Sequence, residues 1–485
     1  MGLNIEDSDA LIESLRALPS ETGWVEFKVN QFEPDNVGKY VSSLSNSAII
    51  AEKDHAYLVF GVENETHAVV GTTVNLDRRK VGSEPYLLWL NKYLDPHIRV
   101  QHHRFEYGDK QVEILSIQPP YERPVRFKGR AYIRVEAAQQ ELSNHPEIER
   151  AIWAITSRFT FETTVTEANV PLRRVIDGYD YGKLLELLGK KIVSISGAAD
   201  QLERLDLLTR NLQRRFDIRA LMGMTCAKDM NTISLLENRG VRVTTFAGKD
   251  KLERVSDIEG QRGYAVAFET LMKHIMERIP HSDVMKHGIR TTEYKIPEIT
   301  IREFVANAII HQDFTKQGER PVVEIYSDKI RISNPGTPLI PTDRFIDTPS
   351  KSRNPKFANL MRTAGLCEQL GSGVDRALRA IEDAMLPPPL IQDVEGSTVV
   401  TVFMRKPFAA LTPDDRIRAC YQHACIQHEV GEYMSNGSLR VRFGLGDKQY
   451  PQVSEVISNA IAAGRIRPQQ EGQPNRLARY VPYWA

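Results

Sequence analysis

An α+β architecture of several domains is predicted for this chain on three observations. At 485 residues it is too long for one core, and roughly 150 residues per domain suggests about three. Stretches with helical spacing of apolar residues alternate with short β-branched runs. Apolar residues make up 41% and charged residues 26%, the balance of a globular protein in water. The 63 Lys and Arg residues equal the 63 Asp and Glu residues, so no global basic field speaks for nucleic acid and local patches must do so. The 4 cysteines form no CxxC pair, which suits a reducing interior better than a disulfide framework. No apolar run approaches the length of a membrane span, and the opening Met1-Gly2-Leu3-Asn4-Ile5-Glu6-Asp7 lacks the basic and apolar regions of a signal peptide. A cytoplasmic protein is expected.

Taken in order, residues 6–18 predict a short amphipathic helix carrying Leu11, Ile12, Leu15 and Leu18. Residues 21–29 alternate as a strand, with Glu26 and Lys28 on one face. A helix is predicted over 37–50, and the near-continuous apolar run 56–63 predicts a buried strand ending in Glu63. Two strands bracket the turn signal Phe127-Lys128-Gly129-Arg130. The E-x4-E-F-K pattern from Glu21 to Lys28, the Gly61-Val62-Glu63 step and the segment from Arg123-Pro124 through Gly129 to Tyr132-Ile133-Arg134-Val135 resemble the AlbA-like domain of Schlafen proteins. That domain is assigned to residues 1–145. In nuclease members of the family a three-carboxylate metal site lies on this pattern, and the resemblance places it on Glu21, Glu26 and Glu63. Clustered carboxylates hold hard cations such as Mg²⁺ or Mn²⁺, which activate water and stabilise phosphoryl oxygens. Glu63 stands where the nucleases carry aspartate, and its longer arm alters the ligand geometry. Two readings stay open: metal-dependent cleavage, or a scaffold that binds nucleic acid or protein without cutting. Lys28, Arg126 and Lys128 would track a phosphate backbone, against the alternative of a solvated charged face.

Residues 146–215 predict a helical connector, with helices over 181–188 and 198–212. A β-branched strand at 240–246 and a helix over 263–279, ended by Pro280, open the next domain. No G-x4-G-K-[ST] pattern occurs in the chain, which excludes a Walker phosphate loop.

Within 301–373, Glu303, Asn307 and His311 are spaced by four, so a helix places the three on one face. Glycine-bearing loops follow at Asn334-Pro335-Gly336 and at Gly371-Ser372-Gly373. Phosphoryl transfer needs a placed water, a metal on the phosphates and backbone donors around them. Glycines let the backbone approach phosphate oxygens, and a helix beginning near 374 adds its positive end. These blocks resemble the GHKL (Bergerat) ATPase fold, an α/β sandwich found in gyrase, histidine kinases and MutL, here assigned to 216–408. The resemblance implies ATP with Mg²⁺: Glu303 activating the water, Asn307 ligating the metal, Gly371, Ser372 and Gly373 cradling phosphates. Asn334 and Gly336 fall in the adenine-reading loop, with asparagine in place of the usual aspartate. Its carbonyl can still accept from the adenine amino group, while its NH₂ end competes for orientation. Arg353, in a lid over 337–370, is a candidate for the γ-phosphate because its fork pairs two oxygens. His311 either lies near phosphate or caps the helix C-terminus. Together, the Arg302-Glu303-x3-Asn307-Ala308 helix, Ser333-Asn334-Pro335-Gly336, Ser352-Arg353-Asn354 and Glu368-x2-Gly371-Ser372-Gly373 resemble bacterial Schlafen/AlbA–GHKL proteins. Those are described as ATP-binding proteins or transcriptional regulators, some labelled RecG-like helicases and some linked to phage defence.

Residues 409–485 predict a helix over 413–430, a turn at 446–448, a second helix over 450–463 and a β-wing to the end. That is a winged helix, and the relatives carry one at this position. Its second helix enters the major groove in DNA-binding members. Lys448, Gln449 and Gln452 lie at the start of that helix, and Arg476 and Arg479 would grip phosphates from the wing. Protein docking is the other use of this module. Cys420, His423, Cys425 and His428 invite a zinc reading, but about 100° per residue scatters them around a helix, and a tetrahedral site needs convergent ligands. The leading expectation is a homodimeric, ATP-controlled nucleic-acid-binding regulator. The alternatives are an ATP-licensed nuclease effector and a non-enzymatic scaffold.

Overall fold

All five residues of the strand Ala56–Phe60 are buried, and its neighbours explain why. It lies between Val25–Lys28, which runs parallel to it, and Lys110–Gln118, antiparallel, with Arg99–Tyr107 completing a four-stranded sheet. The helix Pro34–Ile50 covers one face, setting Val37, Val41, Leu44 and Ala48 against Leu58, Phe60, Leu115 and Ile117. The helix Ile5–Arg16 covers the other, with Leu11, Ile12 and Leu15 on Phe27, Val59 and Ile114. A strand covered on both faces reads as a continuous apolar run. The Pro34–Ile50 helix starts three residues before the expected 37: Pro34 takes the first helical turn and the Glu33 carboxylate caps it by accepting from the Asp35 and Asn36 amides. A second, smaller sheet joins Leu94–Asp95, Arg126–Phe127, Arg130–Val135 and Ala138–Glu141. Lys128 and Gly129 both have positive φ, 48° and 80°, the two-residue hairpin geometry anticipated at that turn.

In this computed structural model the described residues are 5–18, 22–120, 123–135, 138–156, 160–192, 194–211, 213–286, 289–316, 318–348, 351–367, 373–470, 472 and 478–485. The chain divides into two compact units, Met1–Thr160 with Arg210–Phe216, and Phe161–Thr209 with Asp217–Ala485. Among the described residues no helix is long and apolar enough to cross a membrane.

The second unit is built on a six-stranded sheet in the order Arg254–Glu259, Arg242–Phe246, Val322–Ile325, Lys329–Pro335, Ser397–Phe403, Leu390–Val394. Only the pairing of Arg242–Phe246 with Val322–Ile325 is parallel among these six. A parallel pair needs a crossover, and the helices Tyr264–Met276 and Glu298–Ile310 lie in it. Glu298–Ile310 packs on the strand Lys329–Pro335 and on the helix Gly373–Asp383. The C-terminal residues form the helices Pro413–Glu429, Asn436–Arg442 and Tyr450–Ala462, then a hairpin of Ile466–Pro468 with Tyr480–Pro482. Their core gathers Cys420, Ala424, Leu439, Val453 and Ile457. The helix expected over 198–212 is shorter, Ile195–Arg204. The amides of Asp206 and Leu207 bond back to the Glu203 and Leu202 carbonyls, with Asp206 at φ 59°. This is a left-handed helix stop, and it frees Leu208–Arg210 to form a strand.

Candidate functional site

The helix Glu298–Ile310 is apolar on nearly every side: Ile301, Phe304, Val305, Ala306 and Ile309 are buried. Its polar exceptions therefore mark a site. Glu303 and Asn307 line a cavity of about 420 Å³, joined by His311 just past the helix, a volume within the range of small-molecule sites. Ile332 and Asn334 from one strand and Thr398 and Val400 from the next form its floor. The segment from Thr337 to Ile340, with Phe345 and Thr348, closes one side; Lys351, Arg353, Arg362 and the helix start at Gly373 close another.

Glu303 is 3% exposed and its Oε1 accepts from Nη2 of Arg376, in the second turn of the Gly373–Asp383 helix. A buried carboxylate costs several kcal/mol unless a cation compensates it, and Arg376 supplies that cation. The His311 amide donates to the Asn307 carbonyl at 2.9 Å, so His311 terminates the helix while its ring lies on the cavity. Burial, and next the Arg353 guanidinium, push the His311 imidazole down to about 4, which leaves the ring neutral at physiological pH.

Arg353 donates from Nη1 to the His311 carbonyl at 3.1 Å and from Nη2 to the Thr337 carbonyl at 2.9 Å. The guanidinium thus ties the end of the helix, where a cation is favoured, to the segment after the strand. Asn354, 3% exposed, donates to the Ile310 and Gln312 carbonyls at 2.8 and 2.9 Å. Gly336 has φ 110°, and a Cβ there would stand 2.8 Å from Arg353 Nη1; glycine is what lets this cation pack. The Asn334 Nδ2 donates to the Pro335 carbonyl at 3.2 Å, which uses one of the two donors of that amide.

The structure thus brings Glu303, Asn307, His311, Asn334, Arg353 and Gly373 around one cavity, with Gly336 behind Arg353. Gly371 and Ser372 lie outside the described residues. Lys351, Thr398 and Arg376 were not singled out from the sequence. Arg376 carries a signal in hindsight, falling three residues after Gly373 and so on the first turns of a helix leaving the glycine loop. Lys351 and Thr398 carry none beyond nearness to Arg353 and β periodicity.

In the first unit Glu26 is 6% exposed. Its carboxylate pairs with Lys28 Nζ at 2.6 Å and forms a close ion pair with Arg134, whose own pKa is lowered by burial. Glu63 is exposed and accepts from Thr66 Oγ1 at 2.6 Å. Glu21 lies outside the described residues. Lys28 also stands 5.0 Å from the Tyr40 ring centre, and Lys128 pairs with Asp35 at 2.6 Å over the Trp89 ring. Arg126 is exposed.

In the C-terminal module Lys448 and Gln449 fall on a 3₁₀ turn, Asp447–Gln449, rather than in the helix that follows, where Gln452 is exposed. Arg479 lies over the Tyr433 ring at 5.5 Å, and Arg476 lies outside the described residues. His423 is held between Glu382 at 3.0 Å and Ser438 at 3.1 Å. Burial raises the Cys420 and Cys425 thiols, the latter to about 12.

Residues 21–143 match the family model described as "Schlafen, AlbA_2" and residues 318–402 the one described as "Putative ATP-dependent DNA helicase recG C-terminal". The chain is thus a multidomain α+β protein carrying a Schlafen/AlbA_2 domain and an ATPase-like domain. Among solved structures, the DIP2311 protein from Corynebacterium diphtheriae matches at 17% identity over 98% of this chain and 97% of its own, with a TM-score of 0.42; so loose a superposition carries no argument. No curated protein matches.

Proposed function

We propose that this chain is an ATP-dependent regulator acting on nucleic acid, in which a GHKL-type nucleotide site governs an AlbA-like domain and a C-terminal winged helix. The observation that carries the reading is the Glu298–Ile310 helix, whose buried Glu303 and neighbouring Asn307 face the same 420 Å³ cavity as Asn334 and the start of the Gly373–Asp383 helix. That donor set fits a magnesium nucleotide. Asn307 would take the metal, the helix start at Gly373 and the Lys351 and Arg362 side chains would meet phosphate charge, and Asn334 would read the base. Mg²⁺ supplies charge neutralisation on the phosphates. Glu303 is the base for the attacking water.

In the first unit the AlbA-like domain binds the polymer through Arg126 and its neighbours rather than cutting it. The Lys28 and Arg134 cations on Glu26 compete with a divalent ion for that carboxylate, which weighs against the nuclease alternative. A homodimer in a reducing cytoplasm completes the proposal.

The test combines calorimetry of MgATP binding with anisotropy of labelled RNA and DNA strands. Wild-type protein should bind MgATP saturably and change its affinity for one strand type when nucleotide is added. Glu303→Ala should retain nucleotide and lose turnover, whereas Asn307→Ala should bind ATP without dependence on Mg²⁺. Absence of nucleotide binding in the wild type, or loss of binding in Glu303→Ala with the fold intact, would sink the assignment.

A further inference from the structure

The segment from Thr337 to Thr348 separates two cavities. Leu339, Ile340 and Thr348 face the 420 Å³ cavity, Thr342, Asp343 and Ile346 face a second of about 460 Å³, and Phe345 lines both. Ile417, Arg418 and Tyr421 of the Pro413–Glu429 helix, with Arg465, wall the far side of the second cavity. The segment thus has the candidate nucleotide site on one side and the C-terminal module on the other.

It is also fastened to that module through Asp343 and Arg344, with Ile346 packed on the module's core. The Asp343 carbonyl accepts from the Tyr421 hydroxyl at 2.6 Å. Its carboxylate accepts from Arg465 Nη1 at 3.1 Å and from the Tyr483 hydroxyl at 3.2 Å. The next residue, Arg344, places its guanidinium 4.9 Å from the Trp484 ring centre, and Trp484 Nε1 donates to the Tyr421 oxygen at 3.2 Å. Inside the segment Arg344 chelates Asp347 at 2.8–2.9 Å. Pro338 and Pro341 fix their own φ angles. Close-packed interiors move in discrete steps and only where there is room, and the two cavities leave room on both faces of Phe345.

We propose that this segment is a strap through which the C-terminal module reads whether the nucleotide cavity is filled, with Asp343 as the clasp. The inference rests on the cavity being a nucleotide site. Filling it displaces Phe345 and Thr348, the strap shifts toward the second cavity, and the Tyr421–Asp343–Tyr483 contacts re-form or break. Linkage makes the coupling reciprocal: whatever holds the clasp in one state changes nucleotide affinity by the same factor, typically on the order of 5-fold or more.

Trp484 is a built-in reporter, the single tryptophan of the second unit. Its emission is taken as the difference between wild type and Trp484→Phe, and MgATP binding is followed in parallel by calorimetry. The expected result is a change in Trp484 emission that saturates with the calorimetric isotherm. In Asp343→Ala most of that change should be lost while binding persists with a several-fold altered affinity. Tyr421→Phe, which removes only a hydroxyl, should weaken the change in the same direction and guards against an unfolded Asp343 variant. Nucleotide heat with no Trp484 response, or an unaltered response in both variants, overturns the strap and leaves the nucleotide site standing. No nucleotide heat in the wild type overturns both.

Discussion

At the scale of single residues, Glu303 at the cavity is paired with Arg376. Glu303 is buried and Arg376 about half exposed, its side chain 47% accessible, so the pair is only partly shielded from water. Removing the cation leaves the carboxylate uncompensated inside the protein, and a cost of roughly 1–3 kcal/mol follows once the exposure of the arginine is discounted. The expectation is that Arg376→Ala lowers the urea midpoint while Glu303→Gln/Arg376→Ala costs little more than Arg376→Ala alone. A double-mutant cycle from urea denaturation measures this, and an interaction energy indistinguishable from zero would show that the contact is incidental. If the cycle shows coupling, Arg376 is a positioning residue for Glu303 as well as its counter-ion. The spacing of Glu303 and Asn307 was legible in the sequence because a helix of known pitch fixes which residues share a face. The Arg376 partner was not, since 73 residues separate it from Glu303 and no local period links them.

At the scale of elements, the loop at Gly336 shows how backbone geometry serves the cavity. The sequence marks Asn334-Pro335-Gly336 as a turn beside a strand, and the strand Lys329–Pro335 ends there. What it does not reveal is the reason for the glycine, which is the approach of Arg353 from 17 residues further along the chain. The motif around Arg353 predicts a phosphate contact; in the structure Arg353 lines the cavity and its terminal nitrogens donate to the His311 and Thr337 carbonyls. An arginine in a motif declares its charge but not its partners. Gly336→Ala must adopt φ 110° and displace a guanidinium 2.8 Å away. Gly189→Ala, at φ 67° with open space around its Cβ, bears only the left-handed backbone cost of about 1 kcal/mol. Thermal denaturation of the two should therefore differ, with Gly336→Ala the less stable by roughly 1–3 kcal/mol. Equal melting temperatures would mean that Arg353 moves aside freely and does not brace the loop.

At the scale of the whole molecule, each unit encloses its own apolar core, one around Leu58 and Leu115 and its opposite sheet face, the other including the C-terminal cluster around Leu439 and Val453. The cavity lined by Glu303 and Asn307 lies wholly in the second. A ligand stabilises only what it binds, by about 2.7 kcal/mol at a hundred times its dissociation constant, which for a unit of this size is a rise of about 4 °C. Three of the 4 tryptophans, Trp24, Trp89 and Trp153, belong to the first unit, so a Trp484→Phe variant melts fluorescently as that unit alone, while calorimetry registers both. Saturating MgATP should raise one calorimetric transition and leave the fluorescence-detected midpoint where it was. A fluorescence midpoint that climbs in step with the calorimetric one would show that the two cores unfold as one cooperative body. Independent midpoints would confine a nucleotide-linked change to the second unit, where the proposed Asp343 clasp joins the segment beside the cavity to the C-terminal module.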